Sequence, residues 1–392
     1  MEKIVFTEEF CQPENLFPFT LTRQIQDIRV GIFTIREKWE NYLGWPSFDK
    51  QEDDFKDLDR AIVIDEEIGK DTIYLIHAHV IPTPQLVKQI KKLKAGEFLS
   101  LPGIESFAYC ITSKQIIGDH KIKVEKAIEV DEELKLINYP WNIFQQNSWA
   151  INQDFNWVRK NRKKQSIPAS NRVTDAEKIF IEKGAVIEHC ILNASEGPIY
   201  IGKDALVMEG TMIRGPVAVC DNAVVKMGSR IYGGTTIGPG CIVGGEVKNS
   251  VFFGNSNKAH DGYIGDSVIG EWCNLGAGTS NSNIKNNASQ VLVYSPNGPV
   301  DVGLKCGVIM GDYSKTAINT SINTGTVIGV CCNVFGQGLT PKYISSFSWG
   351  NDSIQKYSLE KALTDIENWK KLKGQTLSGA ETFILTHIYQ HF

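Results

Sequence analysis

Two cationic side chains and a histidine have types and spacings that could do chemistry. Arg230 and Lys248 lie 18 residues apart, and His260 follows in the run Asn-Lys-Ala-His-Asp-Gly-Tyr. Two cations brought together repel each other unless an anion lies between them, and a phosphate would supply that anion. A histidine beside a bound phosphate can act as a general base, because histidine titrates near neutral pH. The alternatives stay open at this point: two splayed, solvated cations and a structural histidine.

The element that must position these residues is a six-residue repeat. A period of six suits neither an α-helix nor a lone strand, but it suits a short strand followed by a tight turn. Of the 35 glycines, 26 lie between Gly184 and Gly338, as repeated turns require. The pattern predicts a parallel β-helix in which three hexads make one coil of 18 residues. The β-branched residues that recur at this period are Ile201, Val207, Ile213, Val219, Val225, Ile231, Ile237 and Val243.

The same register predicts what the outside of the coils carries. Residues 18 apart stack on successive coils about 4.8 Å apart, so Arg230 is expected directly beside Lys248. Leu206, Val224 and Ile242 form an outward aliphatic row, which is a good subunit interface and predicts a homotrimer. Scattered surface aliphatics are the alternative. The register slips after Val243, and residues 248–262 are predicted to form a loop or distorted corner that carries function.

Four segments follow from these patterns. Residues 1–160 alternate strand-like and helical runs and predict an α/β domain, with an apolar helical spacing over 21–43 that ends at Gly44 and a second helix over 84–94. Residues 161–175 read as a basic linker, and 176–345 as the β-helix. Residues 346–392 are predicted to be helical, with helices over 358–373 and 378–391 that cap the open end of the coil.

Composition excludes several classes of protein. Forty-one Lys+Arg against 45 Asp+Glu leave a net charge of −4, which argues against a nucleic-acid or membrane partner. No apolar run approaches the roughly 20 residues that span a bilayer. Nine scattered cysteines and no export signal predict reduced thiols and a cytoplasmic location. His189 and His260 are too few for a three-histidine zinc site, so no metal ligands are assigned.

The motifs of the repeat region are similar to those of a known family. The C-terminal half resembles the left-handed β-helix domain of the bifunctional UDP-N-acetylglucosamine diphosphorylase/glucosamine-1-phosphate N-acetyltransferase. The whole chain is similar to a shorter, divergent branch labelled sugar nucleotidyltransferase. The segments that carry the resemblance are Gly197-Pro-Ile-Tyr-Ile-Gly-Lys, Gly244-Gly-Glu-Val, Ser256-Asn-Lys-Ala-His-Asp-Gly, Gly270-Glu-Trp-Cys-Asn-Leu-Gly-Ala-Gly-Thr and Phe347-Ser-Trp-Gly, with Leu16-Phe-Pro-Phe-Thr-Leu-Thr-Arg upstream.

The resemblance implies a site and a reaction. His260 matches the catalytic histidine, which would deprotonate the sugar ammonium so that the amine attacks the thioester of acetyl-CoA. Glu246 would orient or polarise that histidine. The acetyl-CoA is expected to lie between neighbouring subunits. The residues that match sugar-, phosphate- or acyl-contacting positions are Arg230, Lys248, Tyr263, Asn274 and Asn283. Ser289 stands where the family has a coenzyme-contacting lysine, and Tyr313 where the branch has a histidine.

The N-terminal segment departs further from the family. Residues 1–20 contain no glycine, so the usual glycine-rich phosphate loop is missing, and Arg23, Arg29 and Lys38 are the candidates to replace it for a nucleotide. Solvated cations on a helix surface are the alternative. A catalytic Mg²⁺ for nucleotidyl transfer would need acidic ligands, but His77 and Asn142 stand where they are expected.

Three hypotheses result. The first is an acetyl-CoA-dependent acyltransferase acting on an amino-sugar 1-phosphate. The second is a nucleotidyltransferase that joins an NTP to a sugar 1-phosphate, alone or in the same chain as the first, with the β-helix serving trimerisation. The third is a non-catalytic scaffold.

Overall fold

The protein is described here by a computed structural model that covers residues 1–50, 61–62, 64, 71–101, 106–117, 121–351 and 354–391. The chain divides into two compact units. The first unit comprises Met1–Pro13, Arg23–Ile28 and Phe33–Asn138. The second comprises Glu14–Thr22, Arg29–Ile32 and Tyr139–Phe392.

The first unit is built on a mixed sheet. The strand Glu2–Thr7 lies parallel to Thr72–His77 on one side and to Ser47–Lys50 on the other. Two separate antiparallel strand pairs are Ile116–Ile117 with Lys121–Ile122 and Val80–Ile81 with Lys135–Leu136. The strands described in the sheet are, in order, Lys126–Glu129, Glu97–Ser100, Ser106–Ile111, Thr72–His77, Glu2–Thr7, Ser47–Lys50 and Ala61–Ile62.

The predicted helix over 21–43 is wrong in its first part. The helix spans Ile35–Leu43, because Thr34 caps its N-terminus in a reciprocal pair with Glu37 and starts it there. Gly44 ends it in the left-handed conformation, at φ 77°, as the sequence predicts. Upstream, Ile25, Ile28 and Ile32 are buried without being α-helical. The second helix, predicted over 84–94, spans Pro84–Ile90. Shorter elements are Phe33–Thr34 (strand) and Ile25–Asp27 and Ser113–Gln115 (3₁₀ helices).

The second unit is a parallel β-helix with three faces. The first face holds Arg172–Thr174, Ile191–Asn193, Met212–Arg214, Arg230–Ile231, Glu246–Lys248 and Tyr263–Gly265. The second face holds Ile179–Ile181, Ile199–Ile201, Val217–Val219, Thr235–Ile237, Val251–Phe252, Val268–Ile269, Val308–Met310, Thr326–Ile328 and Tyr343–Ile344. The third face holds Val186–Ile187, Leu206–Val207, Val224–Val225, Ile242–Val243, Asn257–Lys258, Asn274–Leu275, Lys315–Thr316, Asn333–Val334, Ser348–Trp349 and the antiparallel Gln355–Lys356.

The interior of the coil confirms the six-residue register. All eight residues from Ile201 to Val243 that define the repeat are buried in one hydrophobic core. Of the loop or distorted corner predicted over 248–262, the loop is wrong, because the strands Val251–Phe252 and Asn257–Lys258 continue the coil through it. What changes is the length of the coil: Val243 pairs with Lys258, 15 residues on, instead of 18.

The insertion lies further along. Ser280–Asn281 pairs in parallel with Ser321–Ile322, and residues 284–305 leave the coil between them. The insertion carries the hairpin Leu292–Val293 with Val300–Asp301 and rejoins the coil where Cys306 N–H donates to Asn283 O at 3.0 Å.

A long helix, Pro140–Asn161, packs on the coil within the second unit. Buried Asn147 donates to Gly234 O at 2.7 Å and to Thr236 Oγ1 at 3.0 Å on the second face. The segment predicted as a basic linker is hydrogen-bonded to the first coil, since Gln165 Nε2 donates to Ala185 O at 2.7 Å. The short strand Arg29–Val30 and the 3₁₀ helices Phe19–Leu21 and Ala176–Lys178 also belong to this unit.

The C-terminal helices, Leu359–Leu372 and Gly379–His391, are at the predicted positions. They do not close the end of the coil as predicted but lie along one of its corners. The corner turns present a column of large side chains, Trp272, Tyr313 and Phe347. The helices pack on this column and bury Ile366 and Leu385 against it.

Candidate functional site

The predicted stack of Arg230 on Lys248 is wrong. Arg230 pairs in the ladder with Glu246, and its Nε lies 3.1 Å from Glu246 Oε2. The cause is the turn after Val243, which holds only Gly244 and Gly245 where the equivalent turn of the preceding coil holds four residues. Because the turn is two residues shorter, Lys248 lies two positions beyond the ladder partner of Arg230. Two positions along a strand return to the same face, so Lys248 stays on the outward side.

Lys248 nevertheless stays close to Arg230. Two residues of strand and one strand spacing separate their Cα atoms by about 8 Å. Glu246 is therefore the anion that Arg230 faces in this structure. The Arg230 side chain is 47% exposed and that of Glu246 34%, so water screens the ion pair and a phosphate can compete with it.

Tyr263 and Asn283 extend the same surface. Tyr263 follows Glu246 in the ladder, and Asn283 Nδ2 donates to its hydroxyl at 3.2 Å and to Asp266 Oδ2 at 2.5 Å. Burial, with help from the Asp266 and Glu246 carboxylates, raises the pKa of Tyr263 to about 12, so the hydroxyl keeps its proton at neutral pH.

A glycine brings this hydroxyl to Lys248. Gly265 pairs with Lys248, and a Cβ on Gly265 would lie 2.2 Å from Tyr263 Oη. The tyrosine hydroxyl thus fills the space that any side chain at 265 would need. We refer to Arg230, Glu246, Lys248 and Tyr263 as the polar face of the first sheet.

His260 lies at the corner between the third and first faces. Its turn, residues 259–262, joins Asn257–Lys258 to Tyr263–Gly265, and its side chain is exposed. It lines an open groove of about 500 Å³. The short turn at Gly245 forms the floor of this groove, because the turns of neighbouring coils extend further out. The other lining residues are Met208, Lys226, Met227, Ala259, Asp261, Ala277 and Gly278.

Not all predicted site residues meet on one face. Asn274 lies on the third face, where it pairs with Asn257 and Lys315, whereas Asn283 lies with Tyr263. In the part of the chain that the structure describes, Glu246 makes no hydrogen bond to His260. The predicted role of Glu246 in orienting the imidazole is therefore not supported by a direct contact in the described residues.

Three positions that depart from the family are explained by local structure. Ser289 is exposed in the insertion, where its N–H donates to Asn287 Oδ1 at 3.1 Å. Tyr313 is buried, and its hydroxyl donates to Glu381 of the last helix at 2.9 Å, so it anchors that helix. Asn142 caps its helix by accepting the Tyr139 N–H at 2.9 Å.

The predicted cations of the N-terminal segment do not form an exposed cluster. Lys38 and Arg29 are both buried, Lys38 with its amine 5.9 Å from the centre of the Phe33 ring and Arg29 donating to Ile32 O. Arg23 is half-buried. Arg23 and Lys38 belong to the first unit, and Arg29 to the second.

The end of the strand Thr72–His77 does not suit a divalent cation. His77 and His79 are buried there, and burial lowers their pKa values to about 3 and about 4. Cys11 Sγ lies 2.6 Å from His79 Nδ1. Mg²⁺ prefers carboxylate oxygens, and within the described ranges no group of three or more His, Cys, Asp or Glu could hold a metal ion. The residues described at this strand end do not fit a catalytic Mg²⁺.

Sequence reasoning missed Lys258 and Lys226. Lys258 occupies an inward position of the third face, and Lys226 lines the groove beside His260. The sequence signal for Lys258 is a lysine at an inward position, where the six-residue pattern has an aliphatic residue. The shortened coil shifts the pattern at this point and hides that signal. Of the helices described, none is long and apolar enough to cross a membrane.

Comparison with known proteins agrees with this architecture. Residues 4–163 match the model of a family described as sugar nucleotidyl transferase. A bifunctional protein GlmU from Methanocaldococcus jannaschii is 30% identical over 233 residues, 59% of this chain and 50% of that protein. A bifunctional sugar-1-phosphate nucleotidylyltransferase/acetyltransferase from Sulfurisphaera tokodaii is 28% identical over 220 residues, 55% of this chain and 48% of that protein.

The chain thus spans about half the length of these curated relatives. A solved UDP-N-acetylglucosamine acyltransferase, LpxA from Bacteroides fragilis, is 14% identical, with a TM-score of 0.25, and the match covers 56% of this chain and 96% of that chain. On the family model and the curated relatives, the chain resembles a divergent branch of the bifunctional sugar-1-phosphate nucleotidylyltransferase/acetyltransferases.

Proposed function

We propose that the β-helix transfers an acetyl group from acetyl-CoA to the amine of an amino-sugar 1-phosphate. The observation that carries this proposal is the exposed imidazole of His260 in the wall of an open groove, one turn away from the polar face. Arg230 and Lys248 supply positive charge, and Tyr263 a neutral hydroxyl, to a phosphate on that face. Asn274 and Asn283 are proposed to contact the acyl group and the sugar.

The proposed reaction needs only a base and an oriented thioester. His260 takes a proton from the sugar ammonium, and the neutral amine attacks the thioester carbonyl. The C–N bond forms and the C–S bond breaks. The imidazolium returns its proton to the leaving thiolate, so the coenzyme leaves as a thiol, and the second proton of the attacking amine passes to solvent. Met208 and Met227 give the groove an apolar wall suited to the pantetheine arm, and Lys226 a charge for a coenzyme phosphate.

The assembly is proposed to be a homotrimer. Leu206 pairs with Val224, and Val224 with Ile242, so the predicted aliphatic row does run along the third face. Val186 precedes Leu206 in the ladder and is 53% exposed. Leu206, Val224 and Ile242 are partly exposed, and an aliphatic row of four residues that are partly or fully exposed favours a subunit contact. The cytoplasmic location predicted from sequence stays a prediction.

A second activity, nucleotidyl transfer to a sugar 1-phosphate, is supported by the family-model match over residues 4–163. It is the weaker candidate, because His77 and His79 occupy the strand end where carboxylates are expected. Arg23, Arg29 and Lys38 stay candidates for nucleotide binding without a shared exposed surface.

One paired assay separates the candidates. Thiol release from acetyl-CoA with glucosamine 1-phosphate is measured beside pyrophosphate release from UTP or dTTP with glucose 1-phosphate. We expect thiol release by the wild-type chain and its loss in His260→Ala, with sedimentation unchanged. Normal turnover by His260→Ala would exclude the proposed base, and neither product from any sugar phosphate would favour the scaffold.

A further inference from the structure

A lysine occupies an interior position of the coil. Lys258 pairs with Val243 on the third face, and Val225 and Leu275 hold the interior positions before Val243 and after Lys258. Its side chain is fully buried, with 0% exposed. Lysines are rarely buried to this extent unless their charge is matched, so its amine requires an explanation.

The amine is matched by the turn that carries His260. Lys258 Nζ donates to the carbonyl oxygens of His260 and Asp261, the latter at 2.9 Å. Asp261 O also accepts the Gly278 N–H at 3.0 Å, whereas among the described residues Lys258 alone donates to His260 O. Burial lowers the pKa of Lys258 to about 8, partly opposed by the Asp261 carboxylate, so the amine is mainly protonated at neutral pH.

These bonds fix the turn from inside. Hydrogen bonds from a charged donor are about twice as strong as neutral ones. Two of them draw the carbonyls of consecutive residues towards the interior of the coil, and the His260 side chain is left outside, in the groove. The same turn contains Gly262, so the backbone has little stiffness of its own.

Packing alone does not account for a lysine here. Valine and leucine fill the equivalent interior positions of the neighbouring coils, and an aliphatic residue would avoid the cost of burying an amine. What distinguishes this coil is the histidine at its corner. We propose that Lys258 is a positioning residue, which holds the imidazole of His260 in the groove by clamping the two carbonyls of its turn; the consequence for turnover rests on the proposed function.

The test compares Lys258→Met with Thr235→Val, which removes a buried hydroxyl at a coil position remote from the turn. The chain has seven histidines, so ¹³C-labelled histidine gives few NMR signals, and His260→Gln assigns the signal of His260. We expect the His260 signal to move or broaden in Lys258→Met and to stay in place in Thr235→Val. Should Lys258→Met not fold, Lys258→Leu, which repeats Leu275, takes its place.

Turnover gives the second readout. We expect kcat to fall at least tenfold in Lys258→Met with the KM for acetyl-CoA within twofold, and no further loss when the substitution is added to His260→Ala. An unmoved His260 signal would overturn the proposal. So would a fall in kcat on Lys258→Met that is the same in the wild type and in His260→Ala. If the wild type releases no thiol, the proposed function fails while the NMR signal still decides the role of Lys258.

Discussion

Gly262→Ala should damage the turn of His260 more than an alanine at Gly228, a glycine of the same corner whose Cβ position is open. Gly262 has φ +126°, and a Cβ there would lie 2.1 Å from Thr279 O in the next coil. Gly228 lies at the same corner two coils earlier, with φ +68° and nothing within 4 Å of its Cβ position. It is the matched control, because alanine there meets only the backbone penalty.

The expected magnitudes follow from these contacts. The positive φ costs roughly 1–2 kcal/mol in both variants. Thr279 O must also retreat by about 1 Å in Gly262→Ala to reach an ordinary carbon–oxygen contact, and overpacking of this kind costs about 1–3 kcal/mol. A displacement of about 1 Å at a catalytic group lowers turnover by about a hundredfold. Gly228→Ala should keep turnover within a factor of two or three.

Urea unfolding and thiol release measure the two effects separately. We expect Gly262→Ala to lose about 2–5 kcal/mol of unfolding free energy and about a hundredfold in kcat. Equal stability and equal turnover in Gly262→Ala and Gly228→Ala would refute the claim that this turn is held tightly between adjacent coils.

Three further predictions concern the aliphatic row, the polar face and the buried amine. Val224→Asp should convert trimers into monomers in analytical ultracentrifugation while Val224→Leu is tolerated, and an unchanged trimer in Val224→Asp removes this row from the interface. Glu246→Gln frees Arg230 from a half-exposed ion pair worth about 0.2–1 kcal/mol, so the KM for the sugar phosphate should fall up to about fivefold at constant kcat; a loss in kcat instead would restore a catalytic role for Glu246. Burial lowers the pKa of Lys258 to about 8 in the folded chain. Between pH 8 and the ordinary pKa of a lysine, the unfolded chain therefore binds more protons than the folded one. The unfolding free energy of the wild type should therefore rise by up to about 3 kcal/mol across that range relative to Lys258→Met, and parallel pH curves for the two proteins would contradict the shift.

The coil could be predicted because its physics is local and repeated. Each hexad contributes one inward β-branched residue, and the same constraint from Ile201 to Val243 leaves a pattern that needs no knowledge of the rest of the chain. The outward row of Leu206, Val224 and Ile242 follows from the same register.

The site was harder because one turn breaks the register. Gly244 and Gly245 make a turn two residues short, so Arg230 faces Glu246 and not Lys248. A single sequence shows that the six-residue register changes, but it does not show which turn is shortened.

The helix predicted over 21–43 failed for a different reason. Apolar residues at helical spacing are also buried by 3₁₀ and extended segments, and only the cap at Thr34 marks where the helix starts. Burial of Arg29 and Lys38 likewise depends on tertiary packing that charge and spacing do not reveal.

The structure of the chain with glucosamine 1-phosphate and coenzyme A tests the central claim most directly. The account predicts a phosphate within hydrogen-bonding distance of Arg230, Lys248 and the Tyr263 hydroxyl, with Glu246 turned away, and a sugar amine about 3 Å from the His260 imidazole. A sugar phosphate bound on another surface, with His260 facing only solvent, would contradict it.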